Sequence, residues 1–211
     1  MLNVGAGTGS YEPVGPYVVA VEPSRIMIAQ RDSHAAPAVC AVAEALPFAS
    51  GTFDVVLGVL TMHHWQDLSR GLSECQRVAR KRVVFFSWDP DATDFWLIDD
   101  YFPQFREQAR ALFPTMQALH QMLGEAHVIH VPIPSDCADG FLGAYWKRPT
   151  AYLDATVRSG MSAFALVDNI DEPLKRLEQD VSSGAWSRRN QSLAALGALD
   201  LGYRLVVADV V

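Results

Sequence analysis

The stretch NVGAGTG, residues 3 to 9, sets glycine at alternate positions, Gly5, Gly7 and Gly9, directly behind the apolar start MLNV. Glycine tolerates positive φ and carries no Cβ, so this spacing specifies a tight bend after a strand, with main chain left bare for a ligand. Taken alone, the glycines also admit the reading of an ordinary flexible turn. The next apolar run, YVVAVE at 17 to 22, ends on Glu22, 13 residues after Gly9. In open α/β sheets a carboxylate at the C-terminal end of the second strand accepts the hydroxyl hydrogens of a ribose. Bend and acid together point to a nucleoside, with a helix expected after the bend and aiming its positive end at the same place.

The rest of the chain supplies the matching framework. YVVAVE, PAVCAV (37 to 42), FDVVLGVL (53 to 60) and RVVFFSW (82 to 88) are continuous apolar runs, as parallel strands covered on both faces require. PSRIMIAQR and QDLSRGLSECQRVAR lie between them, the second with Leu68, Leu72, Cys75 and Val78 on one helical face. This alternation predicts an α/β fold: a Rossmann-like, doubly wound, mostly parallel sheet with right-handed crossovers. After Asp89 the pattern changes. FREQARALFPTMQALHQMLG has helical spacing that Pro114 kinks or splits. HVIHVPIP (127 to 134) reads as a strand, about 139 to 197 as a helical elaboration, and GYRLVVADVV as a strand. The two late strands predict an antiparallel pair at the sheet edge. Residues 1–211 thus read as one domain, with a cofactor-binding half (1–89) and an acceptor-site half (90–211). Only Met1 to Val4 precede the glycines, where a strand ordinarily takes about five residues, so upstream residues are expected to be missing.

Composition narrows the partners. Against 24 acids stand 17 bases, a net charge of -7, which repels phosphate backbones and makes nucleic acid an unsuitable partner. Cys40, Cys75 and Cys137 are odd in number and far apart, which predicts neither a disulfide framework nor a zinc site and suits a reducing cytoplasm. No apolar run approaches the roughly 18 to 20 residues of a membrane span, so no membrane partner is expected. Oligomeric state is not encoded in any pattern found.

Which nucleoside is a matter of spacing. The dinucleotide fingerprint wants its third glycine at the sixth position, and Ser10 stands there. NVGAGTG, VVAVEPS, AEALPF, GTFDVVLGVLTMHHW and RVVFF resemble, in order and spacing, the class I S-adenosylmethionine-dependent methyltransferases, in the branch similar to ubiquinone and menaquinone biosynthesis enzymes. The resemblance spans residues 2 to about 88. It implies S-adenosylmethionine as cofactor and a small molecule as methyl acceptor. It also implies roles: Gly5, Ala6 and Gly7 against the methionine and ribose, Glu22 on the ribose hydroxyls and Pro23 beside the adenine. Val59, within Gly58 to Leu60, would meet the methionine end through backbone atoms. Two positions depart from the family's pattern. Asn3 stands where an Asp or Glu is usual, and Val42–Ala43 where an Asp–Ala pair reads the adenine amino group, leaving the Ala43 N–H or Glu44 as substitutes.

Methyl transfer from a sulfonium needs alignment and exclusion of water more than acid–base chemistry. His63 and His64, just past the fourth strand, stand where a base would act on an oxygen or carbon acceptor, or else fix the loop together with Trp65. Trp88, Asp89, Tyr145, Trp146, Lys147 and Arg148 are acceptor-pocket candidates, with core packing or solvated surface as their plainer roles. No catalytic residue and no metal ligand is assigned. Two other function classes share the features of the bend and the acid: a nucleoside-binding regulatory protein without turnover, and an NAD-dependent oxidoreductase.

Overall fold

The computed structural model describes residues 1–13, 17–92 and 94–210. Along the chain the strands are β1 (Leu2–Val4), β2 (Val19–Val21), β3 (Ala38–Val39), β4 (Phe53–Val59), β5 (Ala79–Trp88), β6 (Ala126–His130), β7 (Ile133–Pro134), β8 (Ala198–Leu199) and β9 (Tyr203–Asp209). The helices are α1 (Arg25–Ala29), α2 (Leu68–Val78), α3 (Gln104–Leu112), α4 (Met116–Leu123), α5 (Ala155–Ser159), α6 (Ser162–Ala165), α7 (Asp171–Ser182) and α8 (Ala185–Arg189). They fall into two compact units. One comprises Met1–Asp89, Leu112–Ile129 and Arg204–Val211, the other Pro90–Ala111 and His130–Tyr203.

The first unit is built on a seven-stranded sheet of order β3-β2-β1-β4-β5-β9-β6. Leu2 lies opposite both Val19 and Val56, so β1 is flanked by parallel strands on each side, and β2–β3 and β4–β5 are parallel as well. The main chain of Val210 donates to Lys81 O at 2.8 Å, placing the end of β9 beside the start of β5, so these two run in opposite directions. Strand order reverses between β1 and β4, the crevice where open α/β sheets bind ligands.

Helix α2 shows how local sequence fixes this layer. Asp67 caps it by accepting from Arg70 N at 3.0 Å, and Gly71, Leu72, Cys75 and Val78 form its buried stripe. Gly71 is required there, since a methyl would come 2.5 Å from the Trp65 ring. The same helix holds the ALPF turn through Glu74 and Arg77: Leu46 N donates to Glu74, and Arg77 donates to the carbonyls of Leu46 and Phe48. Leu2, Val4, Val21, Val56, Leu72, Val83, Phe85, Leu119 and Val206 join in one apolar core, each removed from water at a gain of about 1.5–3 kcal/mol.

Several expectations need correction. No helix follows the glycine bend among the described residues. Residues 5–13 are turns, a bend and irregular chain, and 14–16 lie outside the description. Positive φ at Gly5, Gly7 and Gly9 breaks the right-handed run that a helix there would need. The run 127–134 is two strands in different sheets, β6 in the large one and β7 paired antiparallel with β8. The strand at 37–42 contracts to Ala38–Val39. Pro114 divides its helix as expected: α3 ends at Leu112, and α4 begins afresh on the Thr115 cap.

In the second unit the stretch from 139 to 197 is a chain of short helical pieces, with a wide π-type turn at Leu97–Tyr101 preceding them. They pack through aromatic rings. Trp96 meets Trp186 edge-on at 5.1 Å and Tyr152 at 5.7 Å, and its indole N–H donates to Trp146 O at 2.8 Å. Trp146 is wholly buried and donates to Ile133 O at 2.9 Å. Arg148 donates to the carbonyls of Cys137 and Ala144 and lies over the Tyr145 ring, and Lys147 donates to Leu196 O. These contacts tie the four residues into their own unit.

Candidate functional site

The glycine bend is left-handed throughout: φ is +69° at Gly5, +54° at Gly7 and +96° at Gly9. An L-residue resists this region by roughly 1–2 kcal/mol, which is why the alternate positions are glycine. Gly5 is confined further, because a Cβ there would lie 1.8 Å from Thr61 Oγ1. The buried Thr61, just beyond β4, closes on the bend across the reversal point of the sheet. At Gly7 an added methyl would find only Met27 Sδ, at 3.8 Å. One face of the bend is thus sealed by protein, and at Gly7 the main chain is left nearly bare.

Glu22 is 5% exposed at the end of β2, and its carboxylate faces the bend. One oxygen accepts from Gly7 N at 2.9 Å, the other from Ser24 N at 2.8 Å, and no ion pair reaches it among the described residues. A carboxylate has about four acceptor positions, so two remain. Four N–H groups of the bend are already committed: Gly5 and Ala6 donate to Val21 O, Gly7 to Glu22 and Gly9 to Ala6 O. A pyrophosphate cradle needs free N–H groups, so the bend suits a ligand without phosphate.

The remaining sequence-derived positions lie near these strand ends. Asn3 is buried within β1, Pro23 is exposed with its carbonyl facing the Cys40 thiol at 3.6 Å, and Val59 closes β4. Val42 is exposed and Ala43 buried. Glu44 accepts from Gln66 N and Asp67 N at 2.7 and 3.2 Å, both on Oε1, and so fixes the approach to α2.

Past β4 the backbone is strained. Leu60 has φ +47°, a left-handed conformation that a leucine rarely takes and that costs on the order of 1–3 kcal/mol. It turns the chain into the short helical turn Met62–His64. Burial, with the neighbouring His64, pushes the His63 pKa down to about 4. Its ring stacks on Phe113 at 4.3 Å, and its Nδ1 is buried without a hydrogen-bond partner. Burial also lowers the pKa of His64, against the opposing pull of Glu22, which puts that imidazole within electrostatic reach of the carboxylate. Trp88, at the end of β5, meets Phe113 edge-on at 5.6 Å. His63, half-buried, therefore stays neutral down to about pH 4 in an aromatic stack.

Three participants were not evident in the sequence: Thr61, the strained Leu60, and a pair formed by Arg31 and Glu12 beside Gly7. Positive φ at a leucine and contacts 19 or more residues apart leave no spacing signal.

The methyltransferase domain family matches residues 2–87. A crystal structure from Anabaena variabilis, provisionally described as a methyltransferase of an antibiotic biosynthesis pathway, is 32% identical, with a TM-score of 0.90 over 98% of this chain and 90% of that one. Geranyl diphosphate C-methyltransferase from Streptomyces coelicolor, solved with S-adenosyl-L-homocysteine, shares the fold at 16% identity and TM-score 0.53, over 100% of this chain and 70% of its own. Among curated proteins, a tRNA (carboxymethyluridine(34)-5-O)-methyltransferase of Schizosaccharomyces pombe is 29% identical over 93 residues. That match spans 41% of each protein. The chain belongs to the class I S-adenosylmethionine-dependent methyltransferases. Among its described residues no helix is long and apolar enough to cross a membrane, and no three His, Cys, Asp or Glu side chains gather as a metal site.

Proposed function

We propose that the chain transfers the methyl group of S-adenosylmethionine to a small molecule, with the adenosine seated between the glycine bend and Glu22. The observation that carries this is the half-used carboxylate: two acceptor positions are filled by Gly7 and Ser24 N–H, and two are left for the two hydroxyls of a ribose. Pro23, Val42 and Ala43 would flank the adenine, while Asn3, Gly5, Ala6 and Val59 would border the methionine end. When bound, the sulfonium supplies an electrophilic methyl carbon. The protein's part is to orient it and keep water out, which is worth up to about 7–11 kcal/mol in effective molarity.

A small acceptor is favoured over tRNA. A net charge of -7 opposes the phosphate contacts on which tRNA binding depends, and the tRNA-modifying relative matches less than half of the chain, whereas the Anabaena protein matches nearly all of it. Within class I we place the chain in the branch similar to the ubiquinone and menaquinone enzymes, on the order of its motifs, and in the cytoplasm, where its free cysteines stay reduced.

Calorimetric titration of S-adenosylhomocysteine into the parent and Glu22→Ala proteins tests the reading. Loss of two charge-assisted hydrogen bonds should weaken binding by more than about tenfold. An unchanged affinity would mean that the ribose lies elsewhere. Radiolabelled methyl transfer to small-molecule extracts, and not to bulk tRNA, is expected; the reverse result would reassign the acceptor.

A further inference from the structure

Among the described residues no helix braces the bend, and its conformation is tied at one point by a single side chain. Arg31, just beyond α1, donates through Nη1 to Gly7 O at 3.0 Å and through Nη2 to Ala36 O at 2.9 Å and to Glu12. Glu12 in turn accepts from Ala36 N at 2.8 Å. The two side chains are 5% and 10% exposed, so this ion pair is largely out of water. Gly7 is the residue whose N–H holds the Glu22 carboxylate. The guanidinium therefore grips one end of a peptide unit sequence whose other end aims the acid.

We infer that Arg31 is a positioning residue for the cofactor's ribose, fixing Gly7 so that Glu22 keeps its two free acceptor positions turned toward the nucleoside. The inference rests on the reading of Glu22 given above. Arginine suits the task because its planar fork reaches three acceptors at once, two carbonyls and a carboxylate, where a lysine is a single point charge. Glu12 neutralises that charge in a place where an unpaired guanidinium would be costly. Together they brace Gly7 from the side and tie it to Ala36.

The test is S-adenosylhomocysteine binding, measured by calorimetry on Arg31→Lys, on Glu22→Ala and on the two combined. Arg31→Lys keeps the charge opposite Glu12 and gives up the simultaneous grip on Gly7 O. It is expected to weaken binding about tenfold with an unaltered circular dichroism spectrum, and by less than about twofold when Glu22 is already alanine. The double variant Glu12→Gln/Arg31→Met removes both charges, leaves no buried ion alone, and should reproduce the loss. Affinity within twofold of the parent in Arg31→Lys and in the double variant would overturn the inference while leaving Glu22 in place. So would equal losses with and without Glu22, because Arg31 would then act on the fold at large. A silent Glu22→Ala would remove the ribose assignment and this inference with it.

Discussion

Gly5→Ala separates two causes of the glycine requirement. The added methyl must sit in a backbone with φ +69°, and it must do so 1.8 Å from Thr61 Oγ1 and 2.6 Å from Thr61 Cβ. The left-handed conformation costs about 1–2 kcal/mol. Rotating Thr61 relieves only its hydroxyl, since its Cβ is also inside contact distance, so main chain must move, at about 1–3 kcal/mol as in other overpacked sites. The sum is about 2–5 kcal/mol. Gly7→Ala, at φ +54° with its nearest neighbour 3.8 Å away, incurs the conformational part alone, about 1–2 kcal/mol. Urea unfolding followed by tryptophan fluorescence reads the difference as a shift in midpoint at constant slope. Adding Thr61→Gly to Gly5→Ala should show a favourable coupling of about 1–3 kcal/mol, the overlap being gone and the strain retained. Equal losses for the two alanine variants, or no coupling to position 61, would refute the claim that Thr61 closes over the bend.

Two further outcomes follow from burial. His63 is neutral in the fold down to about pH 4, whereas an unfolded histidine takes up its proton near pH 6.5. The unfolded state thus binds the extra proton between those values, so stability should fall as the pH drops from about 6.5 toward 4 and lose nothing more from this group below that. Urea midpoints across this range should flatten in His63→Gln, and an unchanged slope would show that the ring is not held neutral. The Cys75 thiol is buried and its pKa pushed up, chiefly by desolvation, while Cys40 is exposed. A thiol reagent at pH 8 should label Cys40 in the native protein and Cys75 only on unfolding. Early labelling of Cys75 would contradict the packing of α2.

The parts of the fold visible in the sequence are those set by local chemistry. Alternate glycines state a backbone sign, and positive φ at all three bears that out. The stripe of α2 and the break at Pro114 are likewise properties of neighbouring residues. What stayed hidden depends on distant partners. Nothing around Arg31 marks it as the brace of Gly7, because its acceptors lie up to 24 residues away. The apolar run at 37–42 is long enough for a full strand, yet only Ala38–Val39 pair, against a β2 that is itself three residues long. Glu44 illustrates a further hidden tie, a carboxylate whose Oε1 holds the main-chain N–H groups of Gln66 and Asp67, more than 20 residues on.

The place of β9 in the sheet, inserted between β5 and β6, governs how the protein can be divided. The residues that match the methyltransferase family stop at 87, which invites excision of a minimal nucleoside-binding fragment. Such a fragment would end on β5, with its hydrogen-bonding edge laid open and Leu119, Leu123, Val206 and Ala208 gone from the core. Such an edge recruits another chain. Strand β9 is a keystone rather than a tail, since deletions after Tyr203 remove the strand that joins β6 to the rest of the sheet.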